Sequence, residues 1–451
     1  MDIAIIGGGA AAVGLLDALA RAGTSGPVTV FEPSPHLWRG RPYGPDLDSV
    51  LVNVPPAIMS IRHGDRDHYA AWLGARATEH MDERLGHPIV PRPLYGRYLE
   101  DTAEKAAAEL GVRVVESAVV AVTRAGGRLA LRTSDGSVHL ADQVALCVGG
   151  GRPRDHYGLE GTPGYIGDPY PLARTLENVA PDREVMVIGS GLTAIDVVVS
   201  LAARGHTGPI SLVSRTGMLP YVWQRPGPYR PRHVTVERVQ ALGEVTLDGL
   251  EGLLRAEMAE AGEDLGALVE DLRGAWTEDP VARLRRQLAD IDGPEIGRRV
   301  VQETAHTVGP HAWRLLGEAD RERLRAWSRV ATGVASPMVP VNAARLLELF
   351  DSGQLSVVRG AAGIGPNAAD VVVNAVNPPP HSIPGGAAEL AASLVDERLA
   401  APYPSGGLVP ADPRVHIVGD LAGDGPFITS GIPGVAAQGA AAARAIGAAL
   451  T

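Results

Sequence analysis

Ile3-Ala4-Ile5-Ile6-Gly7-Gly8-Gly9-Ala10-Ala11-Ala12 opens the chain, and Val185-Met186-Val187-Ile188-Gly189-Ser190-Gly191-Leu192-Thr193-Ala194 repeats its form within the 451 residues. Each reads as an apolar strand followed by G-x-G-x-x-A. A strand that enters a tight glycine turn and then a helix brings backbone N–H groups and the positive helix end to a pyrophosphate, where a side chain would collide. Glycine-rich strand ends also serve plain packing of a helix on a sheet, so the surroundings decide. After the first turn comes a helix with Val13, Leu16 and Leu19 on its apolar face. A second strand, Val28–Phe31, then ends in Glu32, 20 residues past Ala12. A carboxylate there accepts both ribose hydroxyls of an adenosine. After the second turn the helix carries Ile195, Val198, Val199 and Ala202, and the strand from Ile210 to Val213 ends in Ser214-Arg215. Ser214 stands 25 residues past Gly189, as Glu32 stands 25 past Gly7. A carboxylate would repel a 2′-phosphate, whereas a serine hydroxyl followed by an arginine binds it and balances its charge. The pattern predicts an α/β chain of two Rossmann-like dinucleotide-binding domains, with FAD on the first and NADPH on the second.

Composition narrows the chemistry. The length predicts two or three domains, and 45% hydrophobic residues suffices for buried cores. No apolar run reaches the roughly 18 residues that span a bilayer. The first strand begins at Ile3, which leaves no room for a leader, so a cytoplasmic protein is expected. A net charge of −11 with dispersed arginines argues against nucleic acid or an anionic membrane as main partner. The single cysteine, Cys147, rules out an intrachain dithiol pair and reads as a small buried hydrophobe. The single lysine, Lys105, lies in an alanine-rich surface helix, which makes Schiff-base catalysis improbable.

Leu51-Val52-Asn53-Val54-Pro55-Pro56-Ala57-Ile58-Met59-Ser60 reads as a short strand running into a rigid proline loop whose polar groups are Asn53 and Ser60. Together with Trp72-Leu73, Pro91-Arg92-Pro93-Leu94-Tyr95-Gly96-Arg97-Tyr98, Gly189 to Asp196, and Ser214-Arg215-Thr216-Gly217-Met218-Leu219-Pro220, it resembles the FAD-NAD(P)-binding family of uncharacterised oxidoreductases, related to the two-domain flavin monooxygenases. The resemblance spans the chain and is strongest before about residue 225. It implies FAD, NAD(P) and oxidase or monooxygenase chemistry, with no substrate assigned. Where that pattern places a basic His-Arg pair, this chain has Ala335-Ser336-Pro337-Met338-Val339-Pro340, a departure at the segment from which the resemblance implies substrate anchoring.

Hairpin signals at Ala125-Gly126-Gly127 and Ser134-Asp135-Gly136 precede a strand from Val144 to Val148 that ends in Gly149. Residues 355–358 and 370–376 repeat that layout before Pro378. This gives an FAD-binding domain at 1–153 and 381–451 and an NADPH-binding domain at 154–230 and 331–380. Residues 231–330, with helical periodicity, are an inserted layer expected to cover substrate. Val415 to Val418, then Gly419-Asp420, return to the flavin; in the resembled flavoproteins such an aspartate bonds the ribityl chain. A helix from about Val435 would aim its positive end at the flavin.

The residues and the resemblance together imply FAD held by Gly7, Gly9, Ala10, Ala12, Glu32, Arg39, Asn53, Met59, Val120, Gly149, Gly419, Asp420, Thr429, Gly431 and Ile432. NADPH would be held by Gly189, Gly191, Leu192, Thr193, Ser214 and Arg215. Asn53 and Ser60 are the candidate catalytic groups, organising the flavin face. No metal site is expected: His306 and His311 lack helical i, i+4 spacing and an acidic partner. The expected activity is NADPH-reduced, FAD-dependent monooxygenation of a small molecule with O₂ through a C4a-(hydro)peroxyflavin, by N-, S- or C-oxygenation, amine N-hydroxylation in secondary metabolism being one form. Two alternatives stand beside it: an oxidase or dehydrogenase reduced by its own substrate, and a non-catalytic flavin-binding redox-responsive protein.

Overall fold

The computed structural model describes residues 1–227, 229–326, 333–361, 363–425 and 431–449. Ten short strands carry the frame: β1 Ile3–Ile6, β2 Val28–Phe31, β3 Arg113–Val115, β4 Gln143–Leu146, β5 Tyr165–Ile166, β6 Val185–Ile188, β7 Ile210–Ser214, β8 Leu355–Arg359, β9 Val371–Asn374 and β10 Val415–Ile417. One parallel sheet runs β10-β4-β1-β2-β3 and the other β5-β9-β6-β7-β8. The central strands are apolar without alternation because a parallel sheet is covered on both faces, and every residue of β1 is buried.

Both sheets follow one plan. Gly7 N–H donates to the Phe31 carbonyl at 2.8 Å and Gly189 N–H to that of Val213 at 2.8 Å. On the other side of each central strand, Cys147 N–H reaches the Ile6 carbonyl at 2.7 Å and Ala375 N–H that of Ile188 at 2.9 Å. Each glycine turn therefore emerges in the middle of its sheet with strand ends on both flanks. This is the α/β architecture of two Rossmann-like units that the paired motifs predict.

Three long helices matter for the site: α1 Ala10–Arg21, α2 Arg92–Leu110 and α3 Leu192–Ala203. In the inserted layer α4, Gly297–Thr307, is one of several helices between Val236 and Ala326. Side-chain caps set several of these starts: Thr246 accepts from Gly249 N–H, and Asp264 and Asp279 each accept from two N–H groups of the helices they precede. The last helix, α5 Ile432–Ala448, begins three residues before the expected start at Val435, with Pro433 in its first turn. It lies tight on α1, where a Cβ on Gly439 would come within 2.8 Å of the Leu15 backbone nitrogen. Residues 119–125, 128–133 and 138–141 form an antiparallel sheet with its turns at the two predicted hairpins.

The segment from Leu51 departs from the expected strand. Leu51 makes one antiparallel bridge to Pro91, and the chain then turns into a 3₁₀ helix at Pro56–Ile58. Pro55 and Pro56 offer no N–H to a ladder, so pairing stops there.

Candidate functional site

Both glycine turns have the features a dinucleotide needs. Gly7 has φ +99°, and a Cβ on it would land on the Cys147 carbonyl. The second glycines are open instead: a Cβ on Gly9 would meet only Gly40, at 3.5 Å, and one on Gly191 nothing within 4 Å. No side chain caps the start of α1 or of α3, which leaves their first-turn N–H groups for an anion. Glu32 ends β2 over the first turn, its carboxylate accepting from Gly8 N–H at 2.6 Å and Ser34 N–H at 2.8 Å. Two oxygens with these single partners keep lone pairs for ribose hydroxyls.

Further pieces converge on the first turn. Trp38 N–H donates to the Gly8 carbonyl at 2.7 Å, which draws Gly40 against Gly9. Arg39 turns its guanidinium toward α2. It forms a two-point pair with Glu100 of α2, at 2.6 and 3.2 Å, and braces this loop. Gly149 adopts φ +72°, and a Cβ on the next residue, Gly150, would collide with the Asp420 carboxylate. Gly419 N–H donates to Gln438 Oε1 of α5 at 2.6 Å, and the Asp420 carbonyl lies 3.0 Å from His381 Nδ1. Gly431 and Ile432 form the start of α5, likewise uncapped by a side chain. Thr429 lies outside the described residues. Val120 sits in the antiparallel sheet, at the bulge between Val119 and Ala121.

Segment 53–61 is held from behind by α2. Tyr95 donates to the Met59 carbonyl at 2.9 Å and Ile61 N–H to the Tyr98 hydroxyl at 3.1 Å. Burial pushes the Tyr98 hydroxyl up to about 12, against the hydrogen bond it accepts from Ile61, so it stays protonated. Asn53 is buried; its carbonyl accepts from Trp223 Nε1 at 2.7 Å, while its side-chain Oδ1 has no protein partner. That orphaned acceptor fits a donor supplied by a bound group. Ser60 has its hydroxyl engaged within its own loop. Its hydroxyl is 2.5 Å from the Asp65 carbonyl and accepts from Arg62 N–H at 3.3 Å, so it closes its own loop.

In the second unit Ser190 Oγ lies 2.8 Å from Ser214 Oγ, which also accepts from Gly217 N–H at 3.0 Å. The strand end is thereby tied to the glycine turn, and Arg215 follows on the exposed side. Leu192 opens α3, and Thr193 donates to Asn377 Oδ1 at 3.0 Å. Cys147 is buried, which pushes its thiol well above the usual range and leaves no thiolate nucleophile. Among the described residues no cluster suited to a metal ion occurs. His306 is buried with Nε2 2.5 Å from the Ala335 carbonyl and its ring stacked on Trp223 at 6.3 Å.

Several of these groups carried no sequence signal. Trp223, His381 and Gln438 act through long-range contacts that no local spacing encodes. Arg92 and Asp196 lie in motifs the sequence singles out, but their meeting with Tyr170 in one buried cluster is likewise encoded by no local spacing.

Residues 4–151 match the model of the FAD-NAD(P)-binding family. The chain is also 25% identical over 295 residues to the uncharacterised protein YdhS of Escherichia coli (strain K12), covering 56% of this chain and 52% of that protein. It thus spans about half the length of that relative. Among solved structures, the L-lysine 6-monooxygenase of Pseudomonas syringae matches with TM-score 0.60 and 16% identity over 100% of this chain and 99% of that one. The ornithine N-hydroxylase of Kutzneria sp. 744 matches at 0.56 and 14%, with 100% and 99% covered. The flavin-containing monooxygenase of Stenotrophomonas maltophilia matches at 0.52 and 16%, with 100% and 99% covered. At these identities the likeness is one of fold. Among the described residues no helix is long and apolar enough to cross a membrane.

Proposed function

We propose that the protein is a flavin-dependent NAD(P)H oxidoreductase, a monooxygenase that holds FAD on the first glycine turn and NADPH on the second and acts on a small molecule with O₂. The observation that carries the reading is the pair of open glycine turns in equivalent sheets with unlike strand ends, Glu32 beside one and Ser214-Arg215 beside the other. In this reading residues 1–153 and 381–451 hold FAD, 154–230 and 331–380 hold NADPH, and 231–330 cover the substrate. When bound, the two groups supply hydride transfer and the reaction of reduced flavin with oxygen.

The chain's own part is placement and shielding. The starts of α1 and α3 take the two pyrophosphates, Glu32 the adenosine ribose of FAD, and Ser214 and Arg215 the 2′-phosphate. Asn53 Oδ1 would accept from a donor of the flavin, and Trp223, stacked with His306, fixes the Asn53 backbone through its indole N–H. One solved neighbour is an L-lysine 6-monooxygenase and another an ornithine N-hydroxylase, the latter solved with reduced FAD, NADP⁺ and L-ornithine. An amine substrate oxidised at nitrogen is the form this favours.

The test is anaerobic mixing of the FAD-loaded protein with NADPH, followed by oxygen in the presence of a panel of amino-acid amines. The reading expects bleaching of the flavin and ¹⁸O from labelled oxygen in one product. Absence of bleaching by NADPH overturns it.

A further inference from the structure

Two motifs that the sequence singles out, residues 91–98 and 189–196, meet in one buried charged cluster. Asp196, the fifth residue of α3, is fully buried. Its Oδ2 accepts from Arg92 Nη2 at 2.5 Å and from the Tyr170 hydroxyl at 2.5 Å, while its Oδ1 has no partner. Arg92 also donates Nε to the Leu51 carbonyl at 3.1 Å, and its guanidinium lies 5.3 Å from the centre of the Tyr170 ring. The neighbouring links have the same sense. Arg41 pairs with Asp168, Ser49 Oγ lies 2.8 Å from Ser200 Oγ, and the Asp46 carboxylate takes Leu172 N–H at 3.0 Å and Ala173 N–H at 2.7 Å. Each joins residues 41–51 or 92 to residues 168–173 or 196–200.

Packing does not account for this arrangement. A buried ion pair is often no more stable than apolar residues of the same volume, and an unmatched buried carboxylate oxygen costs stability outright. The cluster's location gives it a use. Arg41 follows Gly40, which lies against the first glycine turn, and Asp196 sits five residues into the helix that begins at the second.

We infer that Arg92, Asp196 and Tyr170 are positioning residues that fix how the second glycine turn faces the first, and so where a dinucleotide on one stands relative to a dinucleotide on the other. This rests on the proposed assignment of FAD and NADPH. Rates of group transfer respond steeply to such placement, about a hundredfold for a misplacement near 1 Å.

Three variants test it: Tyr170→Phe, Asp196→Asn, and the double apolar replacement Arg92→Met with Asp196→Leu. In the FAD-loaded protein, anaerobic stopped-flow is expected to show flavin reduction by NADPH slowed by about tenfold to a hundredfold in each. The NADPH concentration for half-maximal rate should change little. Hydrogen exchange on the cofactor-free chain is expected to quicken together at residues 92–94, 168–173 and 196–200 in the two single variants. The double variant separates placement from packing: exchange and thermal midpoint return toward those of the parent while reduction stays slow. Recovery of reduction along with stability would overturn the inference, as would Tyr170→Phe reducing at the parental rate. If the parent itself is not reduced by NADPH, the assignment of function fails and exchange alone decides; changes that are not shared by the three segments in the single variants would then overturn the positioning role.

Discussion

A methyl group on Gly7 would occupy the Cys147 carbonyl, and its φ of +99° strains any L side chain. Gly7→Ala is therefore expected to lower stability by about 1–3 kcal/mol and to leave the purified protein with less FAD, as read from a melting curve and the visible absorbance. His416 gives a pH prediction. It is buried with Nε2 2.8 Å from Gln143 Oε1, and burial lowers its pKa below the ordinary 6.5. Below pH 6.5 the unfolded chain takes up a proton that the folded imidazole resists, so stability is full above that value and falls as pH drops. His306 is shifted in the same direction, chiefly by burial. His416→Gln is expected to flatten part of the decline of the unfolding midpoint between about pH 6.5 and pH 5; an unchanged slope would count against this role.

At the scale of elements, α5 supports the loop that carries Asp420 through one side chain. Gln438→Ala deprives Gly419 N–H of its partner, and a loss of about 1 kcal/mol is expected, with weaker retention of FAD on dialysis. What the sequence reveals and what it hides divides along this line. The strands and glycine turns were legible because apolar runs and glycine punctuation are local signals; Ile3–Ile6 and Val185–Ile188 fall where the pattern puts them. At Leu51 the rigid proline loop was legible from its two prolines, whereas the short strand before it is reduced to a single bridge to Pro91, a partner 40 residues away that no local pattern names. For Arg39 and Ser60 the sequence shows the residue type but not its direction. Their residue type suits a cofactor, but their direction is set by Glu100, 61 residues away, and by the closure of the 60–65 loop. The Arg92–Asp196 pair spans 104 residues and has no signature in spacing at all.

Over the whole molecule, two equivalent sheets differ where their ligands would differ. The carboxylate of Glu32 stands over the first turn, and the hydroxyl of Ser214 with exposed Arg215 beside the second. Trp223, in the stretch just before the helical layer, reaches back to the first unit, where its indole N–H donates to the Asn53 carbonyl. The central claim is that the two turns take different dinucleotides, and a crossed pair of substitutions tests it most directly. FAD content and the ratio of flavin reduction rates with NADPH and NADH should be measured for Glu32→Ala and Arg215→Ala. The account predicts that Glu32→Ala loses FAD, whereas Arg215→Ala keeps FAD and lowers the NADPH-to-NADH ratio about tenfold or more. An Arg215→Ala protein with the parental ratio, or a Glu32→Ala protein with full FAD, would contradict it.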